Sequence, residues 1–262
     1  VRSRRQRQMC IRDRTMINMD SEDEGVATVS CAGGLRVQFT KEIQRTTVQG
    51  SLLTLKVEGL LGGHSGQDID KERQNADLLM ARMIQRLLKE TKGQLVSFNG
   101  GTKDNAIPRE CEASLIYESD EEAAKAEELA CELAETYAEE LTPAEPDFSC
   151  EISCETNRTA EAIPQDAAKE FICAMRLAPN GIQKRNIKMD GFVVVSLNLG
   201  VVRTEEDRIV MIFSPRSSVA SLQEDTKERL NTLAETFGFT VSHSSESVSY
   251  THLRAHETVL DL

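Results

Sequence analysis

The stretch SLLTLKVEGLLGGHSGQDIDKERQNADLLMARMIQRLLKETKG, residues 51–93, changes its hydrophobic period part-way along. Ser51 to Val57 alternate polar and apolar side chains, as a strand buried on one face requires. Four glycines follow closely (Gly59, Gly62, Gly63 and Gly66), a density that makes a turn and not a regular element. Ala76, Leu79, Met80, Met83, Ile84, Leu87 and Leu88 then recur at helical spacing, predicting a helix over roughly residues 70–91 that Gly93 ends.

Outward from there the same grammar repeats. Strands are expected near 94–99 and 111–118, separated by the loop NGGTKDNAIPRE at 99–110. Ser119 and Glu122 have capping-box spacing, and Ala126, Leu129, Ala130, Leu133, Ala134 and Tyr137 form a second helical stripe. A strand near 147–154 completes the order β-α-β-β-α-β. The pattern resumes with a helix from about Pro164 to Leu177, which the turn Ala178 to Gly181 stops. Strands near 191–202 and 207–214 flank a turn at Glu205 to Asp207, and Ser221 with Glu224 opens a last helix that carries Leu230, Leu233, Ala234 and Phe237 inward. Phe239 to His243 could close the order α-β-β-α-β. The expected fold class is α+β, an antiparallel sheet with helices packed on one face in ferredoxin-like repeats.

Length and charge bound the function. The chain has 262 residues and a net charge of −12, an acidic balance that argues against nucleic-acid partners, since those bind through Lys and Arg. No run is long and apolar enough for a membrane helix, so no membrane partner is expected. Residues 1–14, VRSRRQRQMCIRDR, stand apart with six arginines and one aspartate. No apolar stretch follows those arginines as a secretory signal would need, and the expected location is cytoplasmic. MCIRDR, and SYTHLRAHETVLDL at the other end, look like translated sequencing-adaptor sequence, so 1–14 and 248–262 are read as foreign; without them the charge is near −16. Six cysteines then remain with no Cys-x-x-Cys pair, which reads as reduced thiols and not as a zinc finger. Two histidines remain, His64 and His243.

Four polar, glycine-rich stretches concentrate the chemistry: Asn18 to Gly25 (NMDSEDEG), Gly62 to Gly66 (GGHSG), Asn99 to Glu110, and Ser196 to Val202 (SLNLGVV). In that order they resemble the di-zinc aminoacyl-histidine dipeptidases, also called cytosol non-specific dipeptidases, over about Met16 to Ser242. The resemblance implies a larger two-domain enzyme with a catalytic domain holding two zinc ions and an inserted lid that also forms a homodimer. Residues 15–25 would be the end of a catalytic segment and 26–247 the lid, so the chain would be a fragment. The family's His-x-Asp motif, its Glu-Glu pair and its C-terminal ligand histidine have no counterpart here.

The resemblance also implies roles. Asp20 matches a zinc-ligating carboxylate, although an acidic run such as residues 20–24 is ordinarily a solvated turn. His64 matches a histidine that reaches into the partner's site and donates a hydrogen bond to the scissile carbonyl oxygen; on its own it reads as a structural residue. Asn105 and Arg216 match contacts to the carboxylate end of a dipeptide, Arg109 is a further contact, and Gly100 and Gly101 serve the turn. Val194-Val195 replaces two polar side chains the family commonly has before the Leu-Asn stretch, which bears on substrate preference. The implied function is hydrolysis of dipeptides, Xaa-His among them, by metal-activated water; the alternative is a catalytically inactive self-associating lid that lacks most metal ligands.

Overall fold

Burial alternates along Thr46–Glu58: Leu53, Leu55 and Val57 are fully covered while Leu52, Thr54 and Lys56 are only partly so. This is the one-sided strand expected at 51–57, extended at both ends. The structure, a computed structural model, describes residues 30–188, 191–247 and 250–251. Within it Ala32–Tyr250 form one unit. Asp20, residues 1–14 and most of 248–262 lie outside the described residues.

The strands of this unit are β1 (Gly33–Gly34), β2 (Arg36–Glu42), β3 (Thr46–Glu58), β4 (Gly63–His64), β5 (Gln94–Gly100), β6 (Ala106–Ile107), β7 (Cys111–Tyr117), β8 (Ser149–Ala162), β9 (Gly181–Asn186), β10 (Phe192–Thr204), β11 (Arg208–Ser217) and β12 (Thr240–Ser244). The α-helices are α1 (Ala76–Glu90), α2 (Asp120–Leu141), α3 (Gln165–Leu177) and α4 (Ala220–Thr236). Ten strands share one sheet in the order β12-β2-β11-β10-β5-β7-β3-β8, with β9 on β10 and β1 on β11, and β4 pairs β6 separately. Every pairing along that order is antiparallel.

Two β-α-β-β-α-β halves are nested in this order. In the first, β3-α1-β5-β7-α2-β8, the strands lie as 2-3-1-4; in the second, β2-α3-β10-β11-α4-β12, they lie as 4-1-3-2, the same arrangement read from the other edge. The whole first half is inserted between the first strand and first helix of the second. The halves meet edge to edge where Val202 of β10 faces Gly100 of β5. Phe98 of β5 packs edge-on against Phe171 of α3, their ring centres 5.4 Å apart, and both are fully buried. Arg45, between β2 and β3, donates to the carbonyls of Val96 and Glu161 of the first half and Glu205 and Glu206 of the second.

Some local expectations are corrected. Residues 70–75 are not α-helical: Ile69–Lys71 form a single 3-10 turn, Glu72 sits at φ 52°, and α1 starts after Asn75, whose side chain accepts from Asp77 N and Leu78 N. Neither capping box forms. Ser119 makes no side-chain cap, and Glu122 instead accepts Lys92 N at 3.1 Å. Before α4 it is Ser217, not Ser221, whose hydroxyl accepts Val219 N at 3.1 Å. Strands β2 and β9 are additional, and β8 runs to Ala162.

Candidate active site

His64, Asn105 and Arg216 belong to three separate segments, and the pairing of β4 with β6 brings the first two together. Gly63 faces Ile107 and His64 faces Ala106, while Ser65 N donates to Asn105 O at 2.9 Å. Gly62 and Gly63 take φ values of 58° and 140°, which let the chain turn into this short ladder. Asn105 is exposed at the tip, and its two neighbours are anchored from below. The Asn198 amide, 1% exposed on β10, donates to Ala106 O at 2.8 Å and to Asp104 O at 3.4 Å. Asn75 donates in turn to Leu199 O at 2.8 Å, so the cap of α1 and the asparagine loop are fastened to one strand.

Arg216 arrives from the second half on β11, opposite Ser196 of β10 and Gly34 of β1. A methyl group at Gly66 would lie 3.2 Å from His64 Cε1 and 3.3 Å from Arg216 Cζ and Nε, so imidazole and guanidinium flank one bare backbone position. Arg216 Nε is buried with no hydrogen-bond partner among the described residues, and the Ser65 hydroxyl is in the same state. An unpaired buried donor is costly, and a carboxylate or carbonyl oxygen is the kind of ligand that satisfies it. Val194-Val195 lies on β10 immediately before Ser196, the cross-strand neighbour of Arg216.

Asp68 shapes the histidine loop from within. Its carboxylate accepts His64 N at 2.8 Å and pairs with Lys71 at 2.6 Å. Those bonds, Lys71 first, hold its pKa below the ordinary carboxylate range. Arg109 is exposed; its stem lies against Gly62 and its Nε donates to Leu60 O at 3.1 Å, so it borders the loop without meeting His64 or Arg216 in the described contacts. Gly101, at φ 66°, brings the 99–110 turn so close to Gly200 O that a Cβ would sit 1.9 Å from it. Gly100 abuts a different group, the fully buried carboxyl of Asp77. Neither Asp77 oxygen has a hydrogen-bond partner among the described residues, and burial pushes its pKa up to about 8 despite nearby Cys111 and Arg203. His243 is exposed on β12, its Nε2 3.0 Å from Asn231 Oδ1.

Sequence reasoning missed Asp68 as a partner of His64, and Glu145, whose carboxylate accepts Leu61 N at 2.7 Å and Gln74 N at 2.9 Å. Asp68 was within reach of a spacing argument, four residues beyond His64. Glu145 carried no local signal.

A family profile described as "Peptidase dimerisation domain" matches residues 55–145. Those residues are thus similar to a peptidase dimerisation domain. The matched stretch covers most of the first half, with His64, Asn105, Arg109 and Glu145, and leaves Arg216 outside. Across 229 residues, 85% of this chain and 46% of the relative, the chain is 31% identical to the cytosol non-specific dipeptidase of Escherichia coli (strain K12). The crystal structure of aminoacylhistidine dipeptidase from Vibrio alginolyticus matches with a TM-score of 0.83 at 31% identity, covering 88% of this chain and 47% of that one. The chain therefore spans about half the length of these relatives, and its mixed fold, with the dimerisation-domain match inside it, matches part of theirs.

Proposed function

We propose that this chain is the substrate-covering lid of a cytoplasmic dipeptidase, in which His64 donates a hydrogen bond to the scissile carbonyl oxygen while Arg216 and Asn105 hold the carboxylate end of the dipeptide. The observation that carries this reading is the convergence of His64 and Arg216 on Gly66, with Arg216 Nε buried and unpaired. A donor fixed before the reaction stabilises charge that develops on the oxygen, and a guanidinium suits a carboxylate. Arg109, bordering the loop, adds a contact at its rim, and Val194-Val195 tunes which dipeptide, Xaa-His or another, is preferred.

Two zinc ions would activate the water in the parent enzyme. The described residues do not fit that centre: no group of three or more His, Cys, Asp or Glu among them could hold a metal. Asp20, outside the described residues, would be this chain's contribution, and no step here is routed through metal. The test is His64→Ala in a gene restored to the length of its relatives. Turnover on a dipeptide should fall roughly 100- to 1000-fold with KM little changed. Wild-type turnover would remove the assigned role.

The match to a dimerisation-domain profile, and described residues that hold no group of three or more His, Cys, Asp or Glu able to bind a metal, favour a second reading for the polypeptide alone, a self-associating lid without hydrolytic activity. Sedimentation at tens of micromolar should show a homodimer, and a monomer there contradicts this reading. Zinc-dependent dipeptide hydrolysis by the purified chain would overturn it as well.

A further inference from the structure

One carboxylate closes the glycine-rich loop at both ends. Glu145 is 2% exposed, and its two oxygens accept the amides of Leu61 and Gln74, the residues between which the loop leaves and rejoins the core. Glu145 is itself held from both sides, since its N–H donates to Leu141 O at 2.9 Å and its carbonyl accepts Phe148 N at 3.2 Å. A buried carboxylate satisfied by two backbone donors is a fixed clamp, because releasing either amide leaves a buried charge short of a partner.

Inside the clamp the histidine ring is oriented by backbone alone. Nδ1 accepts Gly66 N at 3.3 Å and Gln67 N at 3.1 Å, while His64 O accepts Asp68 N at 2.9 Å. A ring nitrogen that accepts N–H bonds carries no proton, so the neutral imidazole holds its proton on Nε2. Nε2 has no hydrogen-bond partner among the described residues. The ring is thus built to donate outward, and the alternative tautomer would set an N–H against two others.

We propose that Glu145 is a positioning residue: by clamping both ends of the 61–74 loop it fixes His64 as a single Nε2–H donor beside Arg216. This rests on the lid reading above for its purpose, but the tautomer can be observed without turnover. The experiment is a long-range proton–nitrogen correlation spectrum of the 15N-labelled full chain, at a pH where its imidazoles are neutral. His64 should show an unprotonated Nδ1 and a protonated Nε2 with no averaging. Glu145→Ala should collapse that separation toward an averaged pair, with the backbone signals of α1 and the sheet unchanged. Glu145→Gln, which keeps the volume but turns a donor toward one of the two amides, should move in the same direction and serves if the alanine variant does not fold. A protonated or averaged Nδ1 in the wild type, or a wild-type pattern in Glu145→Gln, overturns the proposal. An intact pattern together with normal turnover of His64→Ala in the restored enzyme would reject the catalytic reading and leave the clamp standing.

Discussion

The two halves share a topology but divide the chemistry. The first buries two carboxylates, Asp77 and Glu145, and projects its loops as His64 and Asn105; the second has no wholly buried charged residue among the described residues and carries the half-buried Arg216, its Nε covered, in the body of a strand. Asp77 and Glu145 also differ from each other. Glu145 meets two amide donors, whereas Asp77 meets none, although it lies in the first turn of α1 where the helix dipole favours a negative charge. The dipole is worth roughly 0.3–2 kcal/mol, less than the several kcal/mol that burying an unpaired charge costs, so the proton stays. The same fold thus supports a loop closed by a buried carboxylate and a framework strand that carries a guanidinium with an unpartnered Nε.

The sharpest way to break this pairing of halves is at their shared core. Phe98→Ala removes a ring that touches Phe171 of the other half and should cost about 3–5 kcal/mol. Urea denaturation followed by two probes, one per half, should still give one transition at a lower midpoint; two separate transitions would show that the halves fold independently. Arg45→Ala should cost less, about 2–3 kcal/mol, by leaving four carbonyls of both halves without their shared donor. Hydrogen exchange should then rise at Val96 and at the Glu205–Arg208 turn together, and a rise at one alone would contradict the bridging role.

Asp77 gives a smaller, pH-dependent effect. Its pKa in the folded chain, about 8, lies above the ordinary 3.8, so the folded state keeps a proton that the unfolded chain has released. Its contribution is fully present below about pH 4 and is lost as pH rises through about 8. Asp77→Asn removes that dependence. The stability difference between Asp77→Asn and wild type should therefore move in favour of the variant from pH 5 to pH 8, measured as urea midpoints, and an unchanged difference would contradict a buried neutral carboxyl.

The halves were not equally legible in the sequence. α1, α2 and α4 announced themselves through an apolar stripe at helical spacing and α3 through its end signals, Pro164 and the Ala178–Gly181 turn, all of them local; Leu79, Met80, Met83, Ile84 and Leu87 of α1 are all buried as its stripe requires. β2, Arg36–Glu42, was missed because only Val37 and Phe39 mark its buried face, and its partners β11 and β12 lie far along the chain. β9, Gly181–Asn186, has a single apolar residue and exists through its pairing with β10 and the Arg185–Glu72 ion pair. The second half was therefore read without its first strand, and its equivalence to the first half appears only in the sheet order. The capping boxes failed for a related reason, since local spacing cannot foresee that Lys92 N will compete for Glu122. At the site, glycine clusters marked the loops, but Glu145 is 84 positions from Leu61, and no local pattern links the two.

We propose that one residue from each half, His64 and Arg216, acts on the same bound dipeptide. A double-mutant cycle tests it most directly, with His64→Ala, Arg216→Ala and the pair made in a gene restored to the length of its relatives and kcat/KM measured on one dipeptide. The two residues should be coupled, the double variant losing at least about tenfold less than the product of the single losses. Losses that simply multiply would contradict a shared site built from both halves.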